Sequence, residues 1–422
     1  MAKIYHISAR SILDSTGWPT VEATVWLDNG AFGVSSVSSN TTKSKNEPLE
    51  VRDNDPSNYH GKSVEKAVSN INTIIAPRLK GLDPSRQSQV DKTMIEIDGT
   101  ANKSKLGANA ILPVSQAIAK AGASLFHMPL YEYFGKKYQL TTSYTLPSPI
   151  VAIISGGVFG IGGLDFQEFQ IIPSSRHSFS DSLRISSEIF HSLEKTLIAN
   201  KAIHSVGAQG GFTPNLYTNI DALEIIYEAI KTTSYYTGQD VFLGIDAAAD
   251  DIYKNNAYNI SDRSKKISKK DIIEFYKELN SKYHLFVLED PLIAADVKGW
   301  GEITFEVGKD TLIIADKLTS GNKELTNTAI QQKACTAVSI KPNQIGTVSE
   351  IIEYISLIKS SGLNCVVSSR VGATNDTFIS DLAVGTGAEY VKLGAPTRGE
   401  RVIQYNRLLQ IEASVTSSKQ SQ

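Results

Sequence analysis

Residues 285–341 read LFVLEDPLIAADVKGWGEITFEVGKDTLIIADKLTSGNKELTNTAIQQKACTAVSIK. Three times within this stretch a short apolar run stops abruptly at a charged residue: Glu289, Asp316 and Lys341. The pattern extends in both directions. Upstream, Val-Phe-Leu-Gly-Ile stops at Asp246, and downstream Cys-Val-Val-Ser-Ser stops at Arg370. The ends at 289, 316, 341 and 370 stand 27, 25 and 29 residues apart, about the length of one strand, one helix and two loops. Repeats of that length predict an α/β chain with parallel strands closed into a barrel, and the C-terminal ends of such strands converge on one mouth where barrels do their chemistry. Three carboxylates, a lysine and an arginine would meet there, which is the composition of a metal site with a base beside it.

The other strand candidates fit the same barrel. Pro149–Ser155, Phe166–Pro173 and Glu389–Lys392 are short, largely apolar and bounded by Gly, Pro or Ser on at least one side. Asp181–Asn200 and Asn219–Thr232 carry Leu, Ile and Phe at helical spacing. The first intervals are irregular, and the 43 residues from Asp246 to Glu289 leave room for an extra loop. The predicted barrel therefore begins irregularly and becomes regular after Val241.

At 422 residues the chain has room for a second domain beside a barrel of about 250 residues. Ile4–Ser11, Val21–Leu27 and Ala31–Ser38 predict a β-meander, followed by helices over Ser63–Leu79 and Ala108–Phe126. Ser38–Asn46 is a polar loop, and Ser414–Gln422, with almost nothing to bury, is expected to fray. A net charge of −2 argues against a nucleic-acid partner that needs a basic face. Cys335 and Cys365 lie within or beside apolar strands and read as buried thiols. No run approaches the ~20 apolar residues of a membrane span, and Met1–Arg10 lacks the apolar core of a signal peptide, so the chain reads as cytoplasmic with no membrane partner. The seven histidines read as surface or packing residues; His204, five positions before Gln209, is the one near a site loop.

Longer motifs carry a resemblance. Residues 98–112 (DGTANKSKLGANAIL), 9–22 (ARSILDSTGWPTVE), 288–291 (LEDP), 341–347 (KPNQIGT), 376–385 (DTFISDLAVG) and 392–401 (KLGAPTRGER) follow the order of the enolase family, the phosphopyruvate hydratases. The chain resembles that family over essentially its whole length. The resemblance implies an N-terminal α+β capping domain over residues 1–135, a TIM-like β/α barrel over 140–412 and a flexible tail over 413–422. It implies Mg²⁺ held by Asp246, Glu289 and Asp316, proton abstraction by Lys341, and a substrate-carboxylate contact from Lys392. Glu168 is the retained carboxylate on the hydroxyl side, and Arg370 the retained cationic contact to phosphate. The family is usually a homodimer acting on a small-molecule carboxylate. The chemistry accounts for these residue types: removing a proton beside a carboxylate creates a dianion that a hard divalent cation and a lysine neutralise as it develops. A free lysine titrates near 10.4, so Lys341 needs burial and cationic neighbours to act as a base.

The chain departs from the family in a pattern. The family's Ser-Gly-Ala-Ser-Thr-Gly loop, whose serine reaches a second metal, is here Ser39-Asn-Thr-Thr-Lys-Ser44, leaving Thr41 and Thr42 as candidate oxygen donors. Gly-Gly-Ser-His-Ala-Gly-Asn has become Gly156-Gly-Val-Phe-Gly-Ile-Gly162, so an active-site histidine is Phe159. Gly-Asp-Glu-Gly-Gly has become Gly207-Ala-Gln-Gly-Gly211, so the glutamate that assists loss of hydroxide is Gln209. Ser-His-Arg-Ser-Gly-Glu has become Ser368-Ser-Arg-Val-Gly-Ala373, placing Ser369 for a second histidine and Val371 for a phosphate-binding serine. The groups that hold a carboxylate, its metal and the adjacent proton are intact, whereas those serving phosphate and hydroxide are altered. An amide is not a general acid near neutral pH, and losing a general acid typically costs about 10²–10⁴ in rate. Each lost charge-assisted hydrogen bond to phosphate costs a further ~1.5–3 kcal/mol. Turnover of 2-phosphoglycerate is thus expected to be absent or several orders of magnitude below that of an intact enolase. One-sided alteration favours Mg²⁺-dependent enolisation of a changed carboxylate, since random decay would also reach the metal ligands. The alternatives are a catalytically inactive homologue acting as a binding or regulatory protein, and a functional glycolytic enolase.

Overall fold

The computed structural model describes residues 2–39, 46–141, 143–160 and 162–420. Thr41 and Thr42, named above as candidate metal donors, lie outside the described residues. The chain divides into two compact units, neither a single stretch of sequence: Met1–Thr145 with Ile340–Leu357 and Val367–Ala388, and Leu146–Ser339 with Ile358–Val366 and Glu389–Gln422.

In the first unit β1 (Ile4–Leu13), β2 (Pro19–Leu27) and β3 (Phe32–Ser36) form the expected antiparallel meander in the order β1-β2-β3. Val21, Ala23, Val25 and Leu27 alternate inward along β2, the period of a half-buried strand. The helix Ala108–Leu125 packs on this sheet and is buried on almost every side. Its approach to β3 is close: a Cβ at Gly33 would stand 2.2 Å from the Ala117 carbonyl, so only glycine fits there. The residue 98–112 motif builds the entry to this helix. Gly99 closes the helix Gln87–Asp98 in the left-handed region at φ 69°. The Asp98 carboxylate then accepts from the Thr100 and Leu106 amides at 3.0 and 2.7 Å.

Ser63–Leu79 is not the single regular helix expected. An α-helical turn, Glu65–Asn70, passes through a π turn, Ile71–Ile75, into Ala76–Leu79. Pro77 has no N–H to donate to the turn before it, and the wider turn keeps Ile71 and Ile75 both fully buried.

In the second unit the chain enters β4 (Ser148–Ser155), β5 (Glu168–Pro173) and β6 (Val241–Asp246). A short hairpin, β7 (Tyr253–Lys254) and β8 (Ala257–Tyr258), fills the long interval noted after Asp246. Then come β9 (Leu285–Glu289), β10 (Leu312–Ala315), β11 (Ala337–Ile340), β12 (Asn364–Ser368) and β13 (Tyr390–Lys392). The barrel closes in the order β10-β11-β12-β13-β4-β5-β6-β9. One strand departs from the all-parallel expectation: β5 runs antiparallel to both β4 and β6. Inside the barrel Ile150, Ile172, Val287, Leu312, Ile314, Ala337 and Val366 form an apolar layer, with Phe242, Phe286 and Tyr390 packed against it.

The helices Phe179–Ala199 and Asn219–Lys231 match the expected spans to within two residues. Ser178 and Thr218 cap them by accepting the Asp181 and Asp221 amides. The final helix, Gly399–Gln420, runs on past Ser414 into the stretch that was expected to fray, of which residues 421–422 lie outside the described residues. Extending a formed helix fixes one residue per added hydrogen bond, so polar residues suffice to continue it. Among the described residues no helix is long and apolar enough to cross a membrane.

Candidate active site

Strand register assembles the centre of the site. Asp246 on β6 is the partner of Glu289 on β9, and Glu168 on β5 is the partner of Asp246. Glu168 begins its strand whereas the other two end theirs. The reversed direction of β5 brings its first residue level with the last residue of its neighbour. Partners in register face the same side of a sheet, so three carboxylates line one layer of the barrel wall.

Lys392 ends β13, which stands four strands from β9 in either direction around the barrel. Its Nζ crosses the interior to Glu168 Oε2 and Asp246 Oδ2, both at 2.8 Å, and to Glu289 Oε2 at 2.5 Å. Burial works against the Lys392 charge, but Asp246, Glu168 and Glu289 outweigh it and hold the ammonium well above the ordinary lysine value. Neighbouring groups orient the carboxylates. Asp246 accepts from Gln167 Nε2 at 3.0 Å and from the Ala248 amide at 3.1 Å, and Glu168 accepts from Gln170 Nε2 at 3.1 Å. Sequence reasoning missed both glutamines. Gln170 was legible in principle, two residues along the strand from Glu168 and so on the same face.

Asp316 follows β10, and its amide donates to Asp290 Oδ1 at 3.0 Å. Asp290, also missed, is buried and accepts the Lys317 amide at 3.1 and 3.0 Å. Burial first, and then the charges of Asp316 and Asp246, push its carboxyl well above the usual range.

The remaining candidates of this unit are placed by loops. Phe159 closes a short 3₁₀ turn, Gly157–Phe159, and is half-buried. Gln209 is buried, and its carbonyl accepts the Ala395 amide at 3.0 Å. Thr397 Oγ1 donates to the Gly210 carbonyl at 3.0 Å, so the 207–211 loop is clipped to the segment after β13. His204 is exposed.

In the first unit, Lys341 follows β11 and precedes the 3₁₀ turn Pro342–Gln344, whose Gln344 amide donates to the Lys341 carbonyl at 2.9 Å. Ser369 is buried, with its hydroxyl 3.5 Å from the Arg370 carbonyl. Arg370 Nη1 donates to Glu47 Oε2 at 2.8 Å. Val371 is buried.

Among the described residues no group of three or more His, Cys, Asp or Glu side chains stands arranged to hold a metal ion. The carboxylates converge on an ammonium instead. Their chemistry nevertheless fits a divalent cation: the donors are hard carboxylate oxygens, and Glu168 Oε1 is buried with no hydrogen-bond partner among the described residues. Asp246 and Glu289 of this layer, with Asp316, are the residues that would hold it.

Residues 4–134 match the family model for the enolase N-terminal domain, and residues 143–421 that for the enolase C-terminal TIM barrel domain. An enolase of Anaplasma phagocytophilum is 45% identical over 412 residues, covering 98% of this chain and 95% of the relative. Enolases of Ehrlichia ruminantium and Ehrlichia canis are each 42% identical, over 416 and 415 residues, covering 99% and 98% of this chain and 97% of each relative. The carboxylate layer, the two matched domains in order and this identity along nearly the full length agree that the chain is a member of the enolase family.

Proposed function

We propose that this chain is a Mg²⁺-dependent lyase that removes the proton beside a carboxylate, with 2-phosphoglycerate and phosphoenolpyruvate as its substrate and product. The observation that carries the reading is the layer of Glu168, Asp246 and Glu289 around the Lys392 ammonium. The relatives, each named enolase, support the substrate assignment. Asp246, Glu289 and Asp316 would hold the cation, which when bound supplies charge neutralisation for the carboxylate as the adjacent carbon becomes anionic. Lys341 takes the proton from that carbon, and Lys392 holds the substrate carboxylate. Glu168 is the carboxyl group left on the hydroxyl side to assist its departure. Gln209 can donate a hydrogen bond to that hydroxyl but cannot release a proton, so elimination is the slow step. The setting we propose is cytoplasmic, with the chain acting as a homodimer.

A second reading is favoured by Phe159 and Val371: enolisation of a carboxylate that carries an apolar group in place of phosphate. One experiment separates the two. The purified protein is incubated with Mg²⁺ and 2-phosphoglycerate in heavy water, and both deuterium uptake beside the carboxylate and phosphoenolpyruvate are followed. The expected result is exchange faster than elimination, abolished by Lys341→Ala, with Gln209→Glu raising elimination by about 10²-fold. Exchange absent from 2-phosphoglycerate but present with an apolar 2-substituted carboxylate would favour the second reading. Exchange absent from both would overturn the proposal.

A further inference from the structure

We propose that Glu47 is the built-in counter-ion of Arg370 and lowers the affinity of that arginine for phosphate; this rests on the reading of Arg370 as the contact for the substrate's distal anion. Glu47 Oε2 accepts from Arg370 Nη1 at 2.8 Å, and the two side chains are only 4% and 9% exposed. The other oxygen, Oε1, accepts from Gln344 Nε2 at 3.2 Å. Gln344 in turn closes the turn that starts at Lys341. One carboxylate therefore ties the arginine of the β12 exit to the turn that carries the proposed base.

The carboxylate is also part of the framework. Two residues on, Leu49 donates its amide to the Asn102 carbonyl at 2.8 Å and accepts the Ala108 amide at 2.7 Å, which fastens this segment to the 98–112 connector. A pair so shielded from water is little screened by salt. An incoming anion must compete for the guanidinium with a carboxylate that the fold holds beside it. Glu47 thus lowers the affinity of Arg370 for an incoming phosphate, the phosphate of 2-phosphoglycerate included.

The test measures inorganic phosphate binding to the full chain by calorimetry, independent of turnover, for the wild type, Glu47→Gln, Glu47→Asp and Glu47→Gln/Arg370→Gln. Removing the negative charge while keeping the shape should tighten phosphate binding about tenfold or more, the worth of one charge-assisted hydrogen bond. Glu47→Asp, whose carboxylate is drawn back by one methylene, should fall between, and the double variant should return to wild-type affinity or weaker. Phosphate binding in Glu47→Gln no tighter than in the wild type would overturn the proposal. Should that variant fail to fold, Glu47→Asp at wild-type affinity would overturn it equally. Failure of the functional reading would instead appear as absent proton exchange with this ordering of affinities intact.

Discussion

Without the ammonium of Lys392, the carboxylates of Glu168, Asp246 and Glu289 would face one another in a space closed to water. Like charges at that separation in a poorly screened interior are strongly destabilising, and removing one partner of a buried ion cluster typically costs about 3–5 kcal/mol. Lys392→Met is therefore expected to lower stability by about that amount in EDTA. The proposed Mg²⁺ site shares Asp246 and Glu289 with this cluster, so Mg²⁺ should restore more stability to the variant than it adds to the wild type. Denaturant titrations with and without Mg²⁺ check both statements. Equal losses under the two conditions would mean that these carboxylates do not accept the metal.

At the scale of elements, the direction of β5 sets which residues meet. Run parallel like its neighbours, it would present Pro173 at the mouth and send Glu168 to the opposite end. A second element-scale device sits in the first unit, where Asp376 accepts from Lys120 Nζ at 2.7 Å, Ser35 Oγ at 2.7 Å and the Ser36 amide at 2.9 Å. It ties the residue 376–385 motif to β3 and to the helix Ala108–Leu125. Burial opposes the Asp376 charge, but Lys120 and these hydrogen bonds prevail and hold the carboxyl below its usual value. A depressed folded-state pKa contributes stability that is fully present above the unfolded value near 3.9 and lost as pH falls through the folded one. Asp376→Asn should thus cost about 3 kcal/mol at neutral pH, the low end for a buried pair because Lys120 is partly exposed. The deficit should shrink below about pH 4. Thermal melts of both proteins across pH 3–7 measure it, and a pH-independent difference would assign the loss to packing.

For the whole molecule, metal binding and stability are linked. A cation that binds the folded chain alone stabilises it by about 2.7 kcal/mol at 100 times its dissociation constant. Mg²⁺ should therefore raise the melting temperature of the wild type, and Asp316→Asn should remove most of that rise. Melting indifferent to Mg²⁺ and to EDTA in the wild type would show that the proposed ligands do not act together.

Composition, strand-end residues and motifs were enough to read the family, the meander and the barrel, and to mark Asp246, Glu289 and Lys392 as strand-end residues, because period-2 and helical apolar patterns are local and each strand end is marked by one polar residue. The same local reading proposed Phe159, Gln209, Ser369 and Val371 as departures from the family pattern. It could not show that β5 reverses, since strand direction leaves no trace in a six-residue apolar run and is decided by which neighbours it pairs with. Nor could it show that Lys392 reaches across the barrel to three carboxylates, that Gln167 and Gln170 orient two of them, or that Glu47 and Arg370 form a buried pair 323 positions apart in sequence. Those facts arise where distant segments share a low-dielectric interior. There a charge must find a partner or be excluded, and only the closed fold determines which partner is within reach.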